Sequence, residues 1–176
     1  MKGFTLIEFV VALGIMALLS LLILPNYHYA GKTIALKQST MKLGQDLRRA
    51  EEMAMSAKEF NGAVPPGGYG LYFDQTNNYY ILYADCNADY QYNPTATSCN
   101  NNTAELVERV DLDTNLKIYS LSPSPLYIVF TAPQPTVYIP TGVSSATIIL
   151  SLKDDANKNK TIKVNKNGLI EVPFMP

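Results

Sequence analysis

The most constraining feature of this 176-residue chain is an almost unbroken apolar run at its front. From Phe9 to Leu24, only Gly14 and Ser20 interrupt a series of Val, Ala, Leu, Ile and Met. With Phe4 to Glu8 included, the segment has 21 residues, about 31 Å as an α-helix at roughly 1.5 Å per residue. The hydrocarbon core of a bilayer is roughly 30 Å thick, so the segment is expected to cross a membrane as one helix. Lys2 is the only charged side chain ahead of it, which keeps the short end cytoplasmic and exports everything after Pro25. A removable secretion signal is the other reading of such a run. It would need a small-x-small cleavage site after the apolar stretch, and Pro25-Asn26-Tyr27-His28-Tyr29-Ala30-Gly31 is a poor match. Glu8 also argues against a signal. A carboxylate in an apolar span costs about 2.5–3.5 kcal/mol at mid-membrane and less near the edge, and it calls for a positive partner.

Composition narrows the function classes. Charged residues make up 16% of the chain, against roughly 25% in an average soluble domain. Their balance, 14 Lys and Arg against 15 Asp and Glu, does not suit a strongly basic nucleic-acid binder or an acidic disordered tail. One histidine and two cysteines leave little for a histidine-based triad or a zinc site. His28 falls beside the membrane span, and no convergent set of acid, base and nucleophile is visible, so no enzymatic activity is expected.

The N-terminal residues Gly3-Phe4-Thr5-Leu6-Ile7-Glu8, leading into a long apolar helix that ends at Pro25, resemble the start of a type IV prepilin or type II secretion pseudopilin. That resemblance implies cleavage between Gly3 and Phe4 by a membrane prepilin peptidase, followed by N-methylation of Phe4. It also gives Glu8 the partner its burial calls for, the amine of Phe4 on a neighbouring subunit during filament assembly. Phe9 stands where leucine or methionine is commoner in these proteins. Pro25 falls where their helices often carry a proline that kinks or locally melts them.

After Pro25 an amphipathic stretch runs to about Phe60. Its expected inner stripe is Leu36, Thr40, Leu43, Leu47, Ala50, Ala54 and Ala57, at alternating steps of four and three residues. From Tyr69 onward the pattern changes to short β-rich runs separated by turn residues. Gly70–Asp74 and Asn78–Asp85 flank Gln75-Thr76-Asn77 as a hairpin. Asn167-Gly168 marks a tight turn between the last two strands. The expected class is α+β, a long N-terminal helix packed on an antiparallel sheet, with a second small sheet. The chain then divides into a leader (1–3), a transmembrane and assembly helix (4–24), an amphipathic continuation (25–60) and a globular β-rich domain (61–176). The outline of this last part, Gly70-Leu71-Tyr72-Phe73, Val129-Phe130 and the final strand–Asn–Gly–strand unit, resembles the FimT/GspH branch. Pro133-Gln134-Pro135 departs from that pattern.

Cys86 and Cys99 lie outside the cytoplasm in this topology, where disulfides persist, and are candidates to close a loop over Asn87 to Ser98. Asp85, Asn87 and Asp89 alternate like the oxygen ligands of a calcium loop. Tyr90 stands where an EF-hand needs glycine, however, and Asp and Asn are ordinary turn formers. The turn reading is preferred, and no metal or cofactor is expected. Charge is uneven along the chain. Residues 60–152 set seven acidic side chains against Arg109 and Lys117, whereas Lys153, Lys158, Lys160, Lys163 and Lys166 crowd the end. Those lysines read as a solvated face ahead of a DNA-binding one.

The resemblance implies a structural subunit, a pilin or pseudopilin of a type IV pilus or type II secretion pseudopilus. Such a subunit is stored in the bacterial inner membrane as a single-pass protein and assembled into an extracellular filament. Its partners would be identical or related subunits, the peptidase and an inner-membrane assembly platform. A minor pilin with a ligand- or DNA-binding role in adhesion or uptake is the alternative.

Overall fold

The computed structural model describes residue 3 and residues 5–95, 99, 104–132 and 136–173, without the side chains of 22–29 and 141. Helix α1 takes up Leu6–Met55, and two compact units divide the chain, Met1–Ile34 and Ala35–Pro176.

In the first unit the helix from Phe9 to Leu21 carries apolar residues on every side, broken only by Gly14 and Ser20. Each large apolar side chain from Leu6 to Leu21 is more than half exposed, from 51% at Leu13 to 82% at Leu6. Ser20 satisfies its hydroxyl by donating to the Met16 carbonyl at 2.8 Å, the usual way a serine sits inside an apolar helix. Among the described residues, no helix is long and apolar enough to cross a membrane. Leu6–Leu21 spans about 24 Å at roughly 1.5 Å per residue, and the side chains of Leu22, Ile23 and Leu24, which lengthen the run in the sequence, lie outside the description.

The second unit is built on the 4-3 stripe of the later half of α1. Leu36, Thr40, Leu43, Leu47, Ala50 and Ala54 are all buried, as the periodicity requires, and Met53 joins them. Ala57 is exposed because the helix ends at Met55, short of the expected Phe60. The stop is a Schellman motif. Lys58 N–H donates to the Met53 carbonyl and Ala57 N–H to the Ala54 carbonyl, both at 3.0 Å. Ala57 takes φ +48° where glycine is the usual residue.

Nine strands follow among the described residues. They are β1 (Gly68–Asp74), β2 (Tyr79–Asp85), β3 (Leu106–Asp111), β4 (Leu116–Ser122), β5 (Leu126–Thr131), β6 (Thr136–Tyr138), β7 (Ser145–Leu152), β8 (Asn159–Asn165) and β9 (Ile170–Glu171). They form a five-stranded sheet in the order β3-β2-β1-β5-β6 and a four-stranded sheet in the order β4-β7-β8-β9, with every pairing antiparallel. Local chemistry closes the expected hairpins. Asp74 accepts the Asn77 N–H at 2.9 Å between β1 and β2. Asn165 accepts the Asn167 and Leu169 N–H groups, both at 3.0 Å, between β8 and β9.

The helix stripe, the inner face of the first sheet (Leu71, Phe73, Tyr80, Leu82, Ile128) and the second sheet (Ile118, Ile148, Leu150, Ile162, Val164) share one core. Polar ties lock the helix in register. Buried Tyr80 donates its hydroxyl to Asp46 at 2.6 Å, and Arg49 and Lys42 both pair with Glu108 on β3. The Tyr69 hydroxyl donates to the Lys58 carbonyl at 2.8 Å, just past the helix end.

Candidate functional site

The residues singled out for processing and assembly lie at the start of α1. Gly3 is exposed, and Phe4, the expected new N-terminus, lies outside the described residues. Thr5 and Glu8 cap the helix reciprocally. The Thr5 N–H and hydroxyl donate to one Glu8 carboxylate oxygen at 2.8 and 2.7 Å, and the Glu8 N–H donates back to the Thr5 hydroxyl at 3.4 Å. This is a capping box, which satisfies otherwise orphaned N–H groups at a helix start. It also holds the Glu8 carboxylate at the helix N-terminus, where the backbone dipole favours negative charge. Thr5 was not among the functional residues read from the sequence, although its spacing to Glu8, Thr-x-x-Glu, is itself the capping signature. The helical backbone continues through Pro25, whose side chain lies outside the description.

At the other candidate site, Cys86 and Cys99 are bonded to each other, with their Cα atoms 5.1 Å apart. The loop they close is anchored by the carboxylate of buried Glu105. It accepts the Cys86 N–H at 3.0 Å and the Asn93 N–H at 2.9 Å. The three calcium candidates sit at the start of this loop, in dissimilar settings. Asp85 is fully buried. It accepts the Tyr90 N–H at 2.9 Å on one oxygen, while its other oxygen has no hydrogen-bond partner. Burial pushes its pKa up, against the pull of the backbone N–H groups. Asn87 and Asp89 are exposed and hold each other, at 2.9 Å from the Asn87 amide and 3.1 Å from the Asp89 N–H. Asp89 also accepts from Gln91 at 2.8 Å and from the Asn93 amide at 2.8 Å. Burial is the largest single influence and opposes its ionisation, but these donors together outweigh it and lower its pKa. Its oxygens are thus occupied by the turn, and among the described residues no group of three or more His, Cys, Asp or Glu is placed to hold a metal ion.

The lysines near the C-terminus are distributed rather than gathered. Lys160 and Lys163 lie on β8 between β7 and β9, with Lys163 exposed and Lys160 half-buried. Lys166 donates to the Gly142 carbonyl at 3.1 Å.

The helix-and-two-sheet arrangement can be compared with known proteins. No family model and no curated protein sequence matches the chain. Two solved structures do. One is the minor pseudopilin EpsH from the type 2 secretion system of Vibrio cholerae. It shares 15% identity over 78% of this chain and 95% of that one, with a TM-score of 0.50. The other is the type IV minor pilin FimU of Pseudomonas aeruginosa PAO1, at 12% identity over 79% of this chain and 88% of that one, with a TM-score of 0.52.

The fold is pilin-like. At these identities the likeness speaks for architecture. The α+β class, the helix packed on antiparallel sheet and the second small sheet agree with the reading of the sequence. In this pilin-like domain the N-terminal motif and the β-rich unit are separate features, and each has to be given its role on its own chemistry.

Proposed function

We propose that the chain is a structural subunit, not an enzyme, of a type IV pilus or type II secretion pseudopilus. In this reading it is stored in the inner membrane through Phe4–Leu24, with its β-domain exported, and it enters a filament after prepilin peptidase cuts between Gly3 and Phe4. The observation that carries the reading is the conjunction, in one chain, of a Gly3-to-Glu8 stretch resembling a prepilin processing motif, an apolar helical run from Phe9 to Leu21 and a pilin-like fold. The driving force is exchange of environment. The apolar helix leaves lipid for a bundle of like helices, where dispersion contacts replace lipid tails. Glu8 exchanges its local hold on Thr5 for a charge-assisted pairing with the amine of Phe4 on a neighbour.

Two experiments test this. Mass spectrometry of the mature protein from its native host is expected to give a chain beginning at N-methyl-Phe4, and a chain beginning near Ala30 refutes the reading. Glu8→Ala is expected to leave membrane insertion intact and to reduce filament incorporation by about tenfold or more, the scale of a lost charge-assisted bond. Normal incorporation of that variant refutes the pairing.

Both structural neighbours are minor components of their systems. This favours a second, finer reading in which the chain is a minor subunit of its filament. Quantitative proteomics of purified filaments separates the two, since a minor subunit is present at a small fraction of the main one.

A further inference from the structure

The five-stranded sheet has a second face, turned away from the helix, and it is not the polar face that half-exposed antiparallel sheets usually present. Cross-strand register lines up Arg109, Ile81, Tyr72 and Tyr127 in one row across β3, β2, β1 and β5. Two residues along, Asp111, Tyr79 and Asp74 form the next row. The disulfide loop lays Tyr92 over the first row, with ring centroids 5.8 Å from Tyr72, and Tyr72 in turn stacks on Tyr127 at 5.1 Å. Between them lies an open cleft of about 350 Å³.

The charges around this cleft are mostly negative. Asp74 follows Tyr72 by two residues on β1 and lies opposite Tyr79 on β2, within electrostatic reach of both rings. Asp89 lies within electrostatic reach of Tyr127, and Glu105 within reach of Tyr92. The one cation among the lining residues, Arg109, is already neutralised by Asp111, which accepts from it at 2.7 and 3.0 Å. Its guanidinium lies 3.9 Å from the centroid of the Tyr79 ring. The sheet thus contains one guanidinium seated on a tyrosine and held by a carboxylate. The Tyr72–Tyr127–Tyr92 end offers the same elements, ring faces and nearby carboxylates.

We propose that this tyrosine cleft receives a basic side chain, a guanidinium or alkylammonium group, presented by a partner polypeptide. The ring quadrupoles attract the cation over their faces, and Asp74 and Asp89 supply the opposite charge that steers it in. The inference stands on the β-domain alone and is independent of the filament reading.

The test uses the full chain in nonionic detergent micelles, with the tyrosine rings followed by NMR. The probe is N-acetylarginine amide, and its uncharged isostere N-acetylcitrulline amide is the control. The arginine probe is expected to shift Tyr72 and Tyr127 saturably and to bind about tenfold more tightly than the citrulline control, the scale of a partly desolvated cation–π contact with carboxylate support. That preference is expected to shrink as salt is raised. Asp74→Asn lies at the rim and is expected to weaken the arginine probe severalfold. Tyr127→Leu keeps apolar bulk and is expected to remove most of the preference. Equal binding of arginine and citrulline, or no saturable shift by the arginine probe, overturns the proposal without recourse to any variant. Tighter binding of tetramethylammonium than of the arginine probe overturns the polypeptide source in favour of a free quaternary amine.

Discussion

Tyr80→Phe isolates the contact that holds the helix to the first sheet. The substitution deletes one oxygen and leaves the ring in place, so core volume is nearly unchanged. In the native protein Tyr80 is 1% exposed and Asp46 7%, and the hydroxyl reaches the carboxylate at 2.6 Å, a charge-assisted length. Burial, then the bond to Asp46, drives the tyrosine pKa far upward, so it remains a proton donor at any working pH. Loss of such a bond costs about 1.5–3 kcal/mol, because a buried carboxylate loses its donor. Lys42 does not compensate, since it stands 3.5 Å away on a half-exposed side chain, where screening leaves little net attraction. For a domain of this size the expected fall in Tm is about 3–12 °C, at roughly 2–4 °C per kcal/mol. The assay is thermal unfolding of the full chain in nonionic detergent, followed by near-ultraviolet circular dichroism. Asp46→Asn and the double variant complete a cycle, in which a coupling of at least about 1 kcal/mol is expected for groups in direct contact. A Tyr80→Phe loss under about 0.5 kcal/mol, or an additive cycle, would show that the bond does not carry the helix–sheet interface.

Three further outcomes follow from the same structure. Ala57→Gly is expected to raise stability by about 0.5–1 kcal/mol in urea unfolding, because Ala57 is exposed and held at φ +48°, a left-handed conformation that costs non-glycine residues about 1–2 kcal/mol. Reduction of Cys86–Cys99 is expected to lower stability by about 3 kcal/mol, the chain-entropy value for a loop near this length, measured by unfolding with and without dithiothreitol. Glu108 has its pKa lowered, chiefly by the hydrogen bond from Arg49. Its contribution is therefore present above the ordinary value of 4.5 and is lost as pH falls through the lowered folded value. Glu108→Gln is expected to remove that acid-side loss, and the difference from wild type is expected to be small and to shrink in high salt, since the carboxylate is 38% exposed.

Several parts of this structure were legible because they depend on neighbours close in the chain. The 4-3 spacing from Leu36 to Ala54 marked the buried helix face, since any helix with that stripe must cover it. Asp74-to-Asn78 and Asn165-to-Leu169 announced their turns through side chains that hydrogen-bond their own backbone. The helix end was misplaced because Ala57, not a glycine, occupies the left-handed stop, and alanine carries no such signal. Thr5 is legible only as a spacing, Thr-x-x-Glu, and that signature is weak where the same glutamate also opens an apolar run.

By itself, then, the sequence determined an apolar N-terminal run preceded by Gly3 to Glu8, an amphipathic continuation and a β-rich domain with a cysteine-bounded loop, all local properties of spacing and residue type. Only the tertiary structure decided the strand order β3-β2-β1-β5-β6, the pairing of Asp46 with Tyr80 across 34 positions, and the gathering of Tyr72, Tyr92 and Tyr127 into one cleft. These depend on which distant segments lie side by side. A period-two strand pattern states that one face is buried and the other is not, but it does not say which neighbour will lie against either face.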